Sequence, residues 1–109
     1  MKISDLRKML DSKEISSPEL TKLYLDRIKK YDSKLESYIT VTEDIALSQA
    51  EKAQEIIDKG ESKPLTGIPA AIKDNICTEN VLTTCSSKML ENFVPTYDAQ
   101  AVKQLEDAG

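Results

Sequence analysis

A lysine and two polar residues follow an apolar run in the segment GIPAAIKDNI, residues 67–76. A lysine in water has a pKa of about 10.4 and is a poor base at pH 7, but burial can lower that pKa by ~3 units or more. On strand geometry Lys73 stands at the carboxyl end of a buried strand, the edge of an α/β sheet where ligands usually bind. Lys73 is therefore a candidate general base. The alternative is a surface lysine whose stem lies on apolar neighbours while its amine is in water.

The other residues that could act as nucleophiles do not complete a catalytic set. The chain has no histidine, so Ser-His-Asp and Cys-His sets are excluded, and any base is a lysine or a carboxylate. A Ser-x-x-Lys pair is also absent, because Cys85 stands three residues before Lys88. Cys85 is interpreted as a small buried thiol. Strand-end and helix-cap roles are predicted for the hydroxyl residues Thr83, Thr84, Ser86 and Ser87.

The Asp74-Asn75 pair has ordinary turn chemistry. Side chains of these two types bond nearby backbone N–H groups where a strand ends. We therefore predict a structural role for both residues.

Composition excludes several classes of function. Cys77 and Cys85 are eight residues apart in a chain without histidine, so neither a CxxC redox pair nor a Cys/His zinc site can form, and reduced structural thiols are predicted. With three glycines and no phosphate-binding loop, the chain is expected to bind no ATP, dinucleotide or other cofactor. A formal charge of −4 without a basic cluster argues against nucleic-acid binding by this stretch. No apolar run approaches the roughly 20 residues of a membrane span, and no signal peptide follows Met1, so a cytoplasmic protein is expected.

Residues 1–60 have the periodicity of a helical lead-in. Ser4 is the predicted cap of a first helix that ends near Ser12, and Ser17 that of a second helix with Pro18 at its first position. Thr42 is the predicted cap of a third helix, which Gly60 terminates. The predicted buried positions are Leu6, Met9 and Leu10 in the first helix, Leu20, Leu23, Tyr24, Ile28 and Tyr31 in the second, and Ala46, Ala50, Ala53 and Ile57 in the third.

Residues 61–109 have a different pattern, in which short apolar runs are separated by polar turns. IPAAI and VLTTC suit strands, the first covered on both faces as in a mainly parallel sheet, with Pro69 at its start or on an edge. A short helical turn is predicted over residues 87–91.

Asp98 is the predicted cap of a last helix, with Val102 and Leu105 facing inward. The fold class is therefore α/β, within one domain over residues 1–109. A last helix of this kind calls for a further strand to pack beneath it, and the chain supplies none, so we expect the front piece of a larger, truncated α/β domain.

Two segments resemble a known family. PLTGIPAAIKDNI resembles the block P-L-x-G-[IV]-P-x-[AV]-[IV]-K-D-N that opens the core of the amidase signature family. LTTCSSKMLENFVPTYDAQAVKQLEDAG is similar to its continuation in the A subunits of glutamyl-tRNA(Gln) amidotransferases, and SSPELTKLYLDRI to their N-terminal helices. The resemblance covers nearly the whole chain. It implies N-terminal helices followed by the first strands and helix of a mixed central sheet that helices cover.

The resemblance also implies a glutamine-hydrolysing amidase with a Ser-Ser-Lys catalytic set, in which Lys73 is the lysine. A neutral Lys73 would take a proton from a bridging serine, which in turn activates the nucleophilic serine. Both serines and the loop that forms the oxyanion hole are expected beyond residue 109, so the isolated piece should be inactive.

Further partners follow from the same resemblance. Ammonia would pass to the B subunit within a heterotrimer of A, B and C subunits. The whole complex would use ATP and Mg²⁺ to convert Glu-tRNA(Gln), or Asp-tRNA(Asn), into the amidated product.

Two alternatives stay open. The chain could belong to a general carboxamide amidase of the same family without a tRNA partner. It could also be a small helical interaction module in which Lys73 is a solvated surface residue.

Overall fold

The computed structural model describes residues 2–109 as four α-helices, one 3-10 helix and long irregular segments. Helix α1 spans Ile3–Asp11, α2 spans Ser17–Leu35, α3 spans Glu43–Asp58 and α4 spans Gln100–Asp107. The 3-10 helix spans Lys88–Leu90, where the sequence predicts a short helical turn. All four predicted helices are therefore present.

Helix α2 begins with a capping box, one residue earlier than predicted. The Ser16 hydroxyl accepts the Glu19 N–H at 3.3 Å, and the Glu19 carboxylate accepts the Ser16 N–H at 2.9 Å. Hydrogen bonds from the Ser16 hydroxyl and N–H lower the pKa of Glu19. The prediction that Ser17 is the cap was wrong, because Ser17 is the first helical residue and fully buried.

The predicted N-cap is wrong for α1 and right for α3. Helix α1 has Lys2 as its N-cap, so Ser4 lies inside the first turn and its predicted capping role was wrong. The Asp5 carboxylate accepts the Lys2 N–H at 3.1 Å instead. Thr42 is the N-cap of α3 as predicted, although its side chain makes no capping hydrogen bond.

The apolar faces of α1, α2 and α3 meet in one cluster, here called the helical core: Leu6, Leu10, Leu20 and Ile57. Leu10 and Leu20 are each 1% exposed. Helices α2 and α3 pack against each other. An ion pair at 2.7 Å between Lys29 Nζ and Glu43 Oε1 adds a polar link between them.

The buried face of α2 agrees with the predicted one in part. Leu23 and Tyr31 are 49% and 44% exposed, whereas Thr21 and Leu25 are buried. Leu20 is buried as predicted, Tyr24 and Ile28 are partly buried, and Tyr24 packs against the helical core. In α1 and α3 the prediction was right, since its positions are all buried or partly buried.

A left-handed turn at Gly60 ends α3, as the sequence predicts. The Gly60 N–H donates to the Ile57 carbonyl at 3.0 Å, and the Glu61 N–H donates to the Ile56 carbonyl at 3.1 Å. Gly60 has a φ of 75°. This is the Schellman arrangement, which satisfies carbonyls that a helix end otherwise leaves unpaired.

The chain then returns to the start of α2 at Gly67. Ser17 donates its hydroxyl to the Gly67 carbonyl at 3.1 Å and its N–H to Gln54 Oε1 at 2.9 Å. A Cβ at Gly67 would lie 3.0 Å from Ile57 Cδ1 and from the Ser17 side chain, and φ there is 79°. Only glycine fits this contact without a shift of its neighbours.

No residue among those described, 2–109, lies in a β-strand, so the strands predicted over IPAAI and VLTTC do not form here. A strand needs neighbours that take up its backbone N–H and carbonyl groups. Residues 70–73 are exposed, and no second strand lies beside them within this range. The architecture of the described residues is helical, and the predicted sheet is not part of it.

Helix α4 brings the end of the chain back to residues 63–66. The Leu65 N–H donates to the Ala108 carbonyl at 3.0 Å, and Lys63 Nζ donates to the Asp107 carbonyl at 2.9 Å. Val102 is buried as predicted, but Leu105 is 41% exposed. The predicted cap, Asp98, lies outside the helix, whose N-cap is Ala99.

Much apolar surface is uncovered. The Cα radius of gyration is 14.7 Å, somewhat above the roughly 13 Å of a compact domain of this size. The large exposed side chains include Leu35, Met89, Val94 and Tyr97. Within residues 2–109, no helix has the length and apolar character to cross a bilayer.

Candidate functional site

Lys73 ends an exposed segment that has no regular secondary structure. Ala70, Ala71, Ile72 and Lys73 are all exposed, and Ile72 is 38% exposed. The burial that the sequence predicts around Lys73 is therefore absent within the described residues. A turn follows directly, since the Lys73 carbonyl accepts the Ile76 N–H at 2.9 Å.

The next residue, Asp74, is the best-connected side chain of this region. Its Oδ1 accepts the Thr84 N–H at 2.8 Å, and its Oδ2 accepts the Thr84 hydroxyl at 2.6 Å and the Ser86 N–H at 3.2 Å. The Asp74 carbonyl also accepts the Cys85 N–H at 3.0 Å. We call Asp74, Thr84, Cys85 and Ser86 the Asp74 cluster.

These hydrogen bonds set the charge state of Asp74. The Thr84 hydroxyl and then the Thr84 N–H lower the pKa of the carboxyl group most, partial burial opposes them, and the N–H groups of Ser86 and Cys85 add to the lowering. All four donors favour the ionised carboxylate. Asp74 is therefore a fixed negative charge immediately after Lys73.

The loop that meets Asp74 has an unusual backbone. Cys85 and Ser86 are both left-handed, with φ of 50° and 55°. Two consecutive residues with side chains rarely adopt this conformation, which costs of order 1–3 kcal/mol each and needs support from the surroundings. Here the support is Asp74, which binds the N–H groups of three successive residues.

The outcomes for the hydroxyl residues are mixed. Ser87 caps the 3-10 helix as predicted, since its hydroxyl accepts the Met89 N–H at 3.3 Å. Thr83 and Thr84 are buried. The Thr83 hydroxyl donates to the Val81 carbonyl at 3.1 Å, whereas the Thr84 hydroxyl donates to Asp74. Thr84 thus belongs to a side-chain network that the sequence did not reveal.

Both cysteines are free thiols. The prediction that Cys85 is buried was wrong, because the left-handed turn places it on the surface. Cys77 is partly buried and donates its thiol to the Tyr97 hydroxyl at 3.5 Å. The contact with Cys77 raises the pKa of Tyr97, because a protonated Tyr97 hydroxyl can hydrogen-bond to that sulfur and a tyrosinate would be repelled by a thiolate there.

Further long-range hydrogen bonds hold the surrounding loops. The Glu79 N–H donates to Asp98 Oδ1 at 2.7 Å, and the Thr83 N–H donates to the Phe93 carbonyl at 3.0 Å. Asp98 therefore fixes a remote loop instead of capping α4. A cleft of about 330 Å³ opens beside the Asp74 cluster, with Thr84, Ser86 and Lys88 in its wall.

Sequence reasoning missed the role of Asp74, because its partners lie 10 to 12 residues away. Turn chemistry predicts a hydrogen bond from a nearby backbone N–H to the Asp74 side chain. In the structure the donors to that side chain belong to another loop. The single sequence feature that could have drawn attention to Asp74 is its place directly after the candidate base.

Comparison with known proteins matches the amidase family model to residues 19–109. The A subunit of the glutamyl-tRNA(Gln) amidotransferase of Ruminiclostridium cellulolyticum is 60% identical over 103 residues, which is 94% of this chain and 21% of that protein. Its counterpart of the same description in Thermoanaerobacter pseudethanolicus is 52% identical over 107 residues, 98% of this chain and 22% of that protein. The chain therefore spans about a fifth of the length of these relatives.

A solved structure is also similar. It comes from work on a vestigial protein complex and the evolutionary origins of an s-triazine catabolic enzyme, and it matches with a TM-score of 0.93 at 26% identity. The match covers 100% of this chain and 24% of the other. An inhibitor-bound structure of that complex matches equally well. The helices and loops described above therefore have the same arrangement as one part of a much longer chain.

Proposed function

Because this chain belongs to the amidase family, we propose that it is part of the glutaminase component, the A subunit, of a tRNA-dependent amidotransferase. The observation that carries the proposal is the identity of 60% with one such protein across 94% of this chain. Asp74, which follows Lys73 in the family block, binds Thr84 of the loop whose residues Thr84 and Ser86 line a cleft.

In the proposed reaction Lys73 is the general base. Its amine accepts a proton from a bridging serine, which accepts the proton of the nucleophilic serine as that serine attacks the amide carbon of glutamine. The carbon–nitrogen bond breaks as the amide nitrogen receives that proton from Lys73 through the bridging serine, so that ammonia leaves. Water then releases glutamate from the acyl-enzyme. We place both serines in the remainder of the longer protein, so the 109 residues alone are inactive.

The proposal extends to partners and cofactors. The longer protein works with B and C subunits in the cytoplasm, as a heterotrimer, and ammonia is used there to amidate Glu-tRNA(Gln) or Asp-tRNA(Asn). ATP and Mg²⁺ are used by that complex and bound outside this chain.

We also place residues 68–73 in a strand of a mixed α/β sheet once the longer chain surrounds them. The support is physical: this segment has no regular secondary structure within the described range, it is mainly apolar, and its residues 70–73 are exposed. Neighbouring strands would supply its missing hydrogen-bond partners and would cover Ile72.

A second candidate is a carboxamide amidase without a tRNA partner. The TM-score of 0.93 to a complex linked to s-triazine catabolism favours it. Higher identity to the amidotransferase relatives favours the first proposal. Co-purification of the parent protein with two further subunits distinguishes the candidates.

Glutamine hydrolysis by the full-length parent protein with its partner subunits tests the role of Lys73. We expect Lys73→Ala and Lys73→Arg to reduce kcat about 1,000-fold or more, since general acid–base catalysis alone contributes ~10²–10⁴. Lys103→Ala, at an exposed position of α4, is the matched control and should keep kcat within about twofold. Near-normal rates in both Lys73 variants would overturn the proposal and favour the interaction module.

A further inference from the structure

The Asp74 cluster is more elaborate than a turn requires. A turn aspartate usually bonds an N–H two residues further along the chain. Asp74 instead binds Thr84 twice and Ser86 once through its carboxylate, and Cys85 through its carbonyl. The Thr84 hydroxyl that makes the shortest of these bonds belongs to a side chain that is 7% exposed.

The consequence for Lys73 is geometric. Asp74 follows Lys73 directly. The Lys73 carbonyl accepts the Ile76 N–H, and the carboxylate and carbonyl of Asp74 are held by the Thr84–Ser86 loop. Without these bonds, residues 70–73 have no buried contacts that fix the end of the segment. The Asp74 cluster is thus the rigid element nearest in sequence to the candidate base.

We propose that Asp74 is a positioning residue for amide hydrolysis: its carboxylate locks the Thr84–Ser86 loop and thereby fixes the backbone from which Lys73 reaches the reacting groups. This inference rests on the proposed role of Lys73. Asp74 does not touch substrate and transfers no proton. Its contribution is orientation, for which a misplacement of about 1 Å can cost ~10²-fold in rate.

The test uses the full-length parent protein with its partner subunits and measures kcat and KM for glutamine. Asp74→Asn keeps the shape but turns one acceptor into a donor that faces an N–H or hydroxyl donor. We expect kcat to fall about 10- to 100-fold while KM stays within about twofold. The matched control is Asp98→Asn, because Asp98 also binds a remote N–H, that of Glu79 at 2.7 Å. Its kcat should stay within about twofold of the wild type.

Thr84 provides a second route if Asp74→Asn does not fold. Thr84→Val removes the hydroxyl bond at 2.6 Å but retains the shape and the backbone N–H. We expect it to lower kcat about fivefold or more, while Thr84→Ser, which retains the hydroxyl, stays within about twofold. Such a rescue distinguishes the hydrogen bond from packing.

The outcomes separate this inference from the proposed function. Suppose that Lys73→Ala greatly reduces kcat. Normal kcat in Asp74→Asn, or equal kcat in Thr84→Val and Thr84→Ser, then overturns the positioning role and leaves Lys73 as base. Equal kcat losses in Asp74→Asn and Asp98→Asn also overturn it, because a general loss of loop structure then explains both. Normal kcat in Lys73→Ala overturns the proposed function itself.

Discussion

The helical core and the Asp74 cluster are stabilised by opposite means. The helical core buries Leu6, Leu10, Leu20 and Ile57, and its helices satisfy their own backbone groups. The Asp74 cluster buries Thr84 and is held by hydrogen bonds to one carboxylate. One region is stabilised by removing apolar area from water and the other by direction-dependent polar contacts.

This difference matches what each region has to do. Apolar packing tolerates small adjustments at low cost and suits a scaffold. A network of short charge-assisted hydrogen bonds holds groups in one geometry and suits a site where orientation matters. The residues with candidate chemistry lie next to the polar region, and the helical core supports them at a distance through Ile68 and Gly67.

The largest stability effect should come from the helical core. Leu20 is 1% exposed, and Leu20→Ala should lower the free energy of unfolding of the 109-residue chain by about 2–5 kcal/mol. Leu35→Ala is the control, since Leu35 is in the same helix but 69% exposed, and it should change the value by at most about 0.5 kcal/mol. Urea unfolding followed by circular dichroism at about 222 nm measures both. Equal effects would contradict the assignment of the core.

Sequence reasoning recovered the helical core because helices are specified locally. Apolar residues three and four positions apart predicted α1 and α3, and Gly60 predicted the end of α3. The cap of α2 was misplaced because SSPEL offers two serines in succession. In a capping box the glutamate is the third residue after the N-cap. Glu19 is third after Ser16 and only second after Ser17, so its hydrogen bond to the cap selects Ser16.

The sequence was less informative about the site. Lys73 stands out because a charge follows an apolar run, but the geometry of the Asp74 cluster depends on a pairing between positions 74 and 84–86 that no periodicity encodes. The predicted strand failed for a related reason. Its apolar pattern is local, whereas strand formation depends on partner strands that residues 2–109 do not contain.

The next largest effect tests the junction between the two regions. Gly67→Ala places a Cβ 3.0 Å from Ile57 and Ser17 at a φ of 79°, and it should cost about 2–4 kcal/mol from the left-handed backbone and the crowding together. Gly60→Ala has a similar φ of 75° but nothing within 4 Å of the new Cβ, so it should cost about 1 kcal/mol.

Urea unfolding measures the free energy of unfolding of both glycine variants. The difference between their losses gives the cost of crowding the new Cβ at Gly67 against Ile57 and Ser17. A difference near zero would mean that the Ser17–Gly67 contact does not constrain the path from the helical core to Lys73.

The smallest effect is a pH dependence confined to the Asp74 cluster. The pKa of Asp74 is lower in the folded chain than in the unfolded one, chiefly through the Thr84 hydroxyl. Its stabilisation is therefore fully present above the ordinary aspartate pKa of about 4 and is lost as pH falls through the lower native value. Hydrogen-exchange protection of the Thr84 and Ser86 amides, corrected for intrinsic rates, should decline over this window.

Two comparisons show whether that decline belongs to the cluster alone. Protection of the Gly60 amide, bonded to the Ile57 carbonyl at 3.0 Å, should decline less than that of the Thr84 and Ser86 amides. Asp74→Asn should weaken protection of the cluster at neutral pH and remove its decline in acid, because no titrating carboxylate remains there. A parallel decline of all three amides in the wild type would show that the cluster opens only with the helical core and is not a separate unit.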